Sequence, residues 1–325
     1  MTELLYPVYL LGIMGLLFGG GLAYASKVFA VEVDPKVPLI KDALPGANCG
    51  GCGYPGCDAF ASAVAAGDAK INGCPVGGAE TSEKLGEIMG ISSDSSERMI
   101  ARVICKGTEE NCANKFDYYG VKDCKEAMIA MGGNKGCSYG CLGLGTCEKI
   151  CPFDAIHVVD GNVAVVDEDK CTGCGKCIEA CPKLVIKLVP SSKKVHVDCN
   201  SKDKGKAVKV NCSTGCIGCK ICVKNCPFDA ITVEDNIAKI DYSKCRECMI
   251  CVEKCPTNAI SGDINNRKKA YIIEENCVGC TLCSKNCVVD AIEGEVKKVH
   301  KIIEEKCIGC GVCYEKCRKD AIEMR

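Results

Sequence analysis

Cysteine is the residue whose number and spacing give this sequence its chemistry. Of 33 cysteines in 325 residues, twenty fall into five blocks that share one spacing, Cys-x2-Cys-x2-Cys-x3-Cys. The blocks are Cys171/Cys174/Cys177/Cys181, Cys216/Cys219/Cys222/Cys226, Cys245/Cys248/Cys251/Cys255, Cys277/Cys280/Cys283/Cys287 and Cys307/Cys310/Cys313/Cys317. Three closely spaced thiolates can hold an iron–sulfur cluster in a loop, while the fourth reaches a neighbouring cluster. The blocks therefore predict a set of clusters, whose chemistry is the transfer of single electrons.

A sixth block departs from this spacing. It contains Cys137, Cys141, Cys147 and Cys151. The last three stand where the first, third and fourth ligands belong, whereas Leu144 occupies the second position. We expect Cys137 to supply the missing thiolate.

The block spacing resembles that of bacterial two-cluster ferredoxins. The resemblance implies an α+β fold in tandem domains, with [4Fe–4S] clusters whose fourth ligands cross between paired blocks. The implied sets are Cys137, Cys141, Cys147 with Cys181; Cys171, Cys174, Cys177 with Cys151; Cys216, Cys219, Cys222 with Cys255; and Cys245, Cys248, Cys251 with Cys226. In the last pair, Cys287 and Cys317 are the crossing ligands.

Short strands are expected between the blocks. Alternating apolar residues predict hairpins that pair 155–158 with 163–166 and 231–233 with 237–240. Val288 and Arg318 replace the proline that usually follows the fourth cysteine, so the sequence argument for a turn is weaker at those two positions.

A different cysteine motif precedes the blocks. Cys49, Cys52, Cys57 and Cys74 lie in and after the segment PGANCGGCGYPGC. Its glycines allow the backbone to wrap closely and point N–H groups at sulfur. A zinc site is the alternative, but these spacings differ from the paired CxxC knuckles of zinc modules. The signature LPGANCGGCGYPGC resembles the four-iron four-sulfur domain of Rnf-type B subunits and of the corrinoid iron–sulfur protein.

Five cysteines remain: Cys105, Cys112, Cys124, Cys199 and Cys212. One interpretation is free thiols, because free cysteine packs as a small hydrophobe. The other is an eighth cluster held by four of the five. Seven clusters would use 28 cysteines and eight would use 32, so the count permits both.

Composition and the other motifs narrow the function. A net charge of −1 gives no indication of nucleic-acid binding. The glycines at 140–145 lie inside a cysteine block and lack the helix and acidic residue of a dinucleotide fingerprint. His157, His196 and His300 are expected to be strand or surface residues rather than ligands. No complete active site is predicted on this chain.

An uncharged segment, Pro7 to Ala25, predicts one membrane-spanning helix between Glu3 and Lys27. A cleaved signal is the alternative, with a cleavage site at Ala23-Tyr24-Ala25, but no Lys or Arg precedes the apolar segment. Lysines follow the span, so the positive-inside rule predicts a single-pass protein of the cell membrane with its cysteine-rich body in the cytoplasm.

A basic segment follows the first ferredoxin pair. Between 183 and 209 the chain has eight lysines and two aspartates, a local charge of +6. The lysines are Lys183, Lys187, Lys193, Lys194, Lys202, Lys204, Lys206 and Lys209. Small bacterial ferredoxins are usually acidic, so this segment is a candidate docking site; a solvated lysine-rich surface is the alternative.

The order of these parts closely resembles the B subunit of Rnf complexes over essentially the whole chain. The expected segments are an anchor (1–26), a four-iron four-sulfur module (27–80), a linker or further cysteine segment (81–136), three ferredoxin pairs (137–190, 216–262 and 263–325) and a basic connection (191–215). The resemblance implies electron transfer from reduced ferredoxin to the other proteins of a membrane complex that reduces NAD and exports Na⁺ or H⁺. A polyferredoxin adaptor of a hydrogenase or dehydrogenase, without ion pumping, is the alternative.

Overall fold

The computed structural model describes residues 2–29, 34–92, 97–159 and 163–325. The first residue of the predicted anchor, positions 30–33 of the predicted module, positions 93–96 of the predicted linker and the turn at 160–162 lie outside the described residues. The described chain mixes short helices and short antiparallel strands, which is an α+β fold.

The N-terminal helix, α1, spans Thr2–Val28. Its apolar window Tyr9–Val28 is long enough to cross a membrane, and no part of it is buried against the rest of the described chain. Leu16, for example, is 79% exposed. Because burying such a side chain is worth about 1.5–3 kcal/mol, the exposed apolar surface of this helix suits a lipid or protein environment.

Three helices form the small module that follows. They are α2 (Lys36–Ala43), α3 (Cys57–Ala66) and α4 (Gly78–Met89). Ile40, Phe60 and Leu85, one from each helix, are at most 2% exposed and form its core. α3 ends at Gly67, whose φ of 82° suits a residue without a side chain.

One antiparallel strand plan occurs three times in the remaining chain, each time as an outer ribbon around an inner hairpin. The outer ribbons pair β1 (Met99–Val103) with β4 (Ile186–Pro190), β5 (His196–Val197) with β8 (Ile260–Ser261) and β9 (Ala270–Ile272) with β12 (Ile322–Met324). The inner hairpins pair β2 (Ile156–Val158) with β3 (Ala164–Val166), β6 (Ile231–Glu234) with β7 (Ile237–Ile240) and β10 (Ile292–Glu293) with β11 (Lys301–Ile302). Both predicted hairpins are confirmed. We refer to the segments 99–190, 196–261 and 270–324 as units 1, 2 and 3.

Units 1 and 2 begin earlier than the cysteine spacing suggests. β1 lies in the segment expected to be a linker, and β5 lies in the expected basic connection. In unit 1, Met99 pairs with Pro190 and Val103 with Ile186, so the strand closes the unit around both of its cysteine blocks. A long insertion separates β1 from those blocks, which is why their spacing carries no signal for it.

Each cysteine block runs into a short helix. These helices are α6 (Thr146–Ile150), α7 (Lys176–Ala180), α9 (Ile221–Lys224), α10 (Ile250–Glu253), α11 (Leu282–Lys285) and α12 (Val312–Lys316). Two more, α5 (Cys124–Ile129) and α8 (Gly205–Asn211), lie in the insertions of units 1 and 2, and a 3₁₀ turn spans Glu274–Asn276.

The turns that lack proline form nevertheless. In unit 3, Asp290 and Asp320 adopt left-handed backbone conformations with φ of 50° and 48°, as Asp229 does in unit 2 at 48°. Asp tolerates this conformation better than most residues do. The aspartate therefore makes the turn where Val288 and Arg318 stand in place of proline.

Candidate iron–sulfur centres

Three cavities are each lined by four cysteines that the sequence assigns to one cluster. Cys49, Cys52, Cys57 and Cys74 line one of about 320 Å³; Cys151, Cys171, Cys174 and Cys177 line one of about 330 Å³; Cys277, Cys280, Cys283 and Cys317 line one of about 360 Å³. In the second and third cavities, one cysteine comes from the paired block, as the crossing arrangement requires.

The spacing of the side chains fits a group larger than a single ion. Among the described residues, no three Cys, His or carboxylate side chains converge closely enough to hold one metal ion. A zinc site would need such convergence, because a Zn–S bond is only about 2.3 Å long. The four-cysteine cavities suit a four-iron cluster better than zinc.

The predicted partners also lie together elsewhere in units 2 and 3. Burial and the neighbouring Cys216 thiol raise the pKa of Cys222 to about 11, with Cys219 and Cys255 adding to the effect. Burial, Cys248 and Cys245 likewise raise the pKa of Cys251 to about 12, with further contributions from Cys222 of the paired block and from Cys226. For Cys313 the pKa is raised to about 11 by burial, Cys310, Cys307 and Cys287.

These raised pKa values determine whether the buried cysteines carry a proton in the absence of metal. A thiol with a pKa near 11 or 12 stays protonated at neutral pH and is a poor nucleophile. Metal binding removes that proton, since the ligand is the thiolate. Without metal, these buried cysteines are therefore protonated and unreactive, and binding iron would displace their protons.

Backbone N–H groups point at the fourth cysteine of five blocks. In each case the donor is the alanine four residues further on, at 3.2 to 3.4 Å from sulfur. The pairs are Ala155 to Cys151, Ala230 to Cys226, Ala259 to Cys255, Ala291 to Cys287 and Ala321 to Cys317. Such bonds stabilise negative charge on sulfur and influence the potential of a bound cluster.

Cys124, rather than Cys137, lies beside the incomplete block of unit 1. Burial, and then the neighbouring cysteines Cys141, Cys124 and Cys181, raise the pKa of Cys147 to about 12. Cys124 opens α5, where its backbone N–H donates to Thr146 Oγ1 at 2.7 Å, and Leu144 packs against the small core that Cys124 forms with Ala127 and Leu142. We expected Cys137 to fill this position, whereas in the structure α5 places Cys124 next to Cys141 and Cys147.

Cys137 instead belongs to a cavity of about 440 Å³ lined by five cysteines. The others are Cys105, Cys112, Cys199 and Cys212. Four of these are among the five cysteines that fitted no block. Block spacing could not reveal this group, because its members come from the insertions of units 1 and 2. One signal was present: Cys105 and Cys199 each follow the first outer strand of their unit by two residues.

The cysteine groups of the module and unit 1 lie next to each other in space, and so do those of units 2 and 3. Gly51, beside Cys52 of the module, lies so close to Cys174 of unit 1 that a Cβ on Gly51 would be 2.8 Å from the Cys174 carbonyl oxygen. Between units 2 and 3, Arg246 forms an ion pair with Glu315, and the Cys310 thiol contributes to the raised pKa of Cys248, which is due mainly to burial.

The lysines of the basic segment do not form a single patch. Lys183 donates to the carbonyl oxygens of Gly132 and Ser138, and Lys194 and Lys202 form ion pairs with Glu168 and Asp235. Lys204, Lys206 and Lys209 are exposed on and beside α8. This helix packs on the loop that carries Cys219, since a Cβ on Gly205 would be 2.7 Å from the Ile217 carbonyl oxygen. Cys219 and Cys280 are the exposed cysteines of the described chain.

The histidines differ from one another. His157 is partly exposed in β2, where it contacts Glu148, and His196 is buried in β5, as expected for strand residues. His300 is neither in a strand nor on the surface: it is 3% exposed and lines the cavity of Cys277, Cys280, Cys283 and Cys317.

Family models match most of the cysteine-bearing chain. An Fe-S cluster family covers residues 44–76, the 4Fe-4S binding domain covers 164–187, and 4Fe-4S dicluster domains cover 215–260, 244–291 and 270–324. These matches include the four cysteines of the small module, the second block of unit 1 and both blocks of units 2 and 3.

The repeated strand plan, the cysteine-lined cavities and these matches define an iron–sulfur electron-transfer protein of the ferredoxin type. The chain is 58% identical to the B subunit of the Na(+)-translocating ferredoxin:NAD(+) oxidoreductase complex of Acetobacterium woodii, covering 84% of this chain and 83% of that protein. It belongs to the family of Rnf complex B subunits, the electron-transfer subunits of membrane-associated oxidoreductases.

Two further relatives support the assignment. The B subunit of the proton-translocating ferredoxin:NAD(+) oxidoreductase complex of Clostridium ljungdahlii is 45% identical, over 75% of this chain and 87% of that protein. The B subunit of the ion-translocating oxidoreductase complex of Methanosarcina acetivorans is also 45% identical, over 75% and 92%. Membership of this family disfavours the alternative of a hydrogenase adaptor.

Proposed function

We propose that this chain takes electrons from reduced ferredoxin and passes them, through [4Fe–4S] clusters in the module and in tandem two-cluster domains, to partner proteins of a membrane complex. That complex would reduce NAD and export Na⁺ or H⁺, as the names of its relatives state for theirs. The observation that carries the proposal is the series of cavities lined by four cysteines each, in a member of this family.

Seven clusters are proposed for the 28 cysteines of the module and the six blocks, with Cys124 taking the place that the spacing gives to Cys137. When bound, a cluster supplies one-electron chemistry. The chain's own residues orient the thiolates, donate N–H groups to sulfur and keep water from most of the ligands. The exposed Cys219 and Cys280 are the ligands through which a docked partner would approach most closely.

We propose further that α1 spans the membrane once and that the cysteine-rich body lies in the cytoplasm. The apolar window Tyr9–Val28 supports the span, and Lys27, Lys36 and Lys41 after its apolar part support the orientation. Protease treatment of inside-out vesicles should digest units 1–3, whereas right-side-out cells should protect them. Protection in inside-out vesicles would contradict this orientation.

Ferredoxin is proposed to dock on α8. Lys204, Lys206 and Lys209 are exposed on and beside α8, whose Gly205 lies against Ile217 in the loop of the exposed Cys219, and the exposed Lys220 follows that cysteine. Complementary charge accelerates encounter with an acidic partner, and salt screens it, since the Debye length is about 8 Å at physiological ionic strength. The docking face is thus narrower than the whole basic segment.

Stopped-flow reduction of the reconstituted full chain by reduced ferredoxin tests this docking face. Changing all four lysines to Gln should slow reduction at low salt, and the difference from the parent should vanish at high salt. A matched variant with Lys297, Lys298, Lys301 and Lys306 of unit 3 changed to Gln is the control, because it removes equal charge from unit 3, where Lys297 and Lys298 lie against Gly279 beside the exposed Cys280. Slower reduction only in that control would move docking to unit 3.

The complex itself is tested by purification from membranes. Affinity capture of the tagged full chain from detergent-solubilised membranes should bring down companion proteins and ferredoxin-dependent NAD reduction. Capture of a hydrogenase instead would favour the adaptor.

A further inference from the structure

We propose that the five-cysteine cavity between units 1 and 2 holds an eighth [4Fe–4S] cluster, bound by Cys112, Cys137, Cys212 and a fourth thiolate from Cys105 or Cys199. The proposal rests on the electron-transfer function proposed above and adds a site to it. At about 440 Å³, the cavity is of the same order as the three cavities of about 320–360 Å³ that four cysteines line.

Backbone pairing gathers three of these cysteines from distant segments. Cys112 and Cys212 face each other in an antiparallel bridge, flanked by hydrogen bonds from Ser213 N to Asn111 O at 2.8 Å and from Ala113 N to Asn211 O at 3.1 Å. This is the non-hydrogen-bonded kind of pair, in which side chains approach most closely.

The third segment adds Cys137 to the same place. The backbone N–H of Gly136 donates to the Ala113 carbonyl at 2.7 Å, so the residue before Cys137 is tied to the residue after Cys112. The backbone N–H of Cys137 in turn faces the Cys112 sulfur. Three separate pieces of chain are thus held with their thiols around one space.

The cavity has the donors that a negatively charged cluster requires. The N–H groups of Gly107 and Cys141 point at Cys105 sulfur from 3.3 and 3.5 Å, and the Thr214 hydroxyl lies 3.5 Å from Cys212 sulfur. Lys135 is only 3% exposed, and its ammonium donates to the Gly107 carbonyl. A buried ammonium is costly without nearby negative charge, which thiolates around a cluster would provide.

Three glycines lie close to cysteines of the cavity, where a side chain would crowd them. A Cβ on Gly107 would be 3.2 Å from Cys112 Cβ, and one on Gly140 would be 3.5 Å from Cys137 Cβ. Gly215 stands in the same relation to Cys212, at 3.6 Å. Each of these three cysteines therefore has a glycine next to it on the cavity wall.

The cavity lies between the first cysteine block of unit 1 and the first cysteine block of unit 2. Cys105 accepts a hydrogen bond from the backbone of Cys141, which belongs to the first block of unit 1. On the other side, the backbone N–H of Cys216, the first ligand of unit 2, faces the Cys199 sulfur. A cluster in this cavity would divide the step between units 1 and 2 into two shorter ones, and so connect the module and unit 1 with units 2 and 3.

Iron and acid-labile sulfide, with Mössbauer quantification of clusters, test the proposal on the full chain reconstituted anaerobically to saturation. The parent should hold about 32 irons, and C112A, C137A and C212A should each hold about 28. Of C105A and C199A, one should lose about four irons and the other should keep all of them, which makes it a matched control and identifies the fourth ligand.

A parent that saturates at about 28 irons would overturn the proposal without reference to any variant. A disulfide between Cys112 and Cys212 in the anaerobically alkylated parent would also overturn it. Failure of the proposed function is distinguishable, because a chain that ferredoxin cannot reduce would still show its full iron content.

Discussion

The guanidinium of Arg102 in unit 1 and the carboxylate of Asp198 in unit 2 are joined by two hydrogen bonds, Nε to Oδ1 at 3.1 Å and Nη2 to Oδ2 at 3.3 Å. Asp198 is 4% exposed, and Nη2 also donates to Ser261 Oγ at 2.9 Å. Because Asp198 directly precedes Cys199, this ion pair holds the two sides of the five-cysteine cavity in register.

Removing the guanidinium should therefore loosen the junction. Arg102→Ala leaves a buried carboxylate with only the more distant Lys106 at 3.8 Å, and breaking a buried pair in this way costs about 3 kcal/mol. We expect a lower midpoint of thermal unfolding for the reconstituted chain. Lys84→Ala, which removes the exposed ion pair with Glu80, is the control and should leave the midpoint unchanged. Equal midpoints for both variants would show that the junction does not depend on Arg102.

The spacing of cysteines predicted those groups whose members come from one loop and its paired block or following segment. The cysteines that line the cavities around Cys49, Cys171 and Cys277 could be grouped from the sequence, because each set combines one loop with one further cysteine. The position of Cys124 beside the first block could not be predicted, since it depends on the small core that Cys124 forms with Ala127 and Leu142, against which Leu144 packs. Spacing carries no information about such a contact between an insertion and the block that follows it.

The five-cysteine cavity could not be predicted from the sequence for a related reason. Cys112 and Cys212 meet only after β1 and β5 have closed their outer ribbons and the insertions have paired with each other. The cysteine count permits an eighth cluster, and spacing placed Cys124 among the unassigned cysteines and Cys137 in the first block, whereas in the structure Cys137 lines this cavity.

His196 should make stability depend on pH. Its Nε2 lies 2.9 Å from the Lys193 carbonyl oxygen, so Nε2 carries the proton and Nδ1 accepts from the Tyr242 hydroxyl at 2.7 Å. Burial, and then the charge of Arg102, lower the pKa of His196 to about 4. Since the unfolded value is about 6.5, the unfolded state binds the extra proton between these values, and stability present above pH 6.5 is lost as the pH falls towards 4.

The loss amounts to at most about 3 kcal/mol. Thermal midpoints between pH 7.5 and 5.5 should fall less steeply for His196→Gln than for the parent. His157→Gln is the control: its imidazole is exposed, and a hydrogen bond with Glu148 raises its pKa, so it should not flatten the profile. An unchanged slope for His196→Gln would assign the pH dependence to other groups.

His300 should raise the potential of the cluster proposed for Cys277, Cys280, Cys283 and Cys317. It lines that cavity, and neither ring nitrogen has a hydrogen-bond partner within the described chain. An N–H donated to the cluster favours the more negative, reduced state. His300→Leu should lower the midpoint by roughly 20–60 mV, which corresponds to one hydrogen bond of about 0.5–1.5 kcal/mol.

Redox titration followed by electron paramagnetic resonance would measure this shift. His157→Leu should leave every midpoint in place, since His157 contacts Glu148 and Asp154 on the surface of unit 1. If His300→Leu leaves all potentials unchanged as well, the buried ring has only a packing role.

A rescue experiment can decide which cysteine completes the first block of unit 1. Cys124→Ala should remove about four irons, and Leu144→Cys in the same chain should restore them, because it rebuilds the regular ligand spacing beside Cys141 and Cys147. Leu142→Cys, which places a thiol in the same small core but not at a ligand position, should fail to restore them. Cys137→Ala should lose iron too, from the five-cysteine cavity, yet Leu144→Cys should not recover it. The opposite pattern, with Leu144→Cys rescuing Cys137→Ala and not Cys124→Ala, would reinstate the assignment that spacing alone suggests.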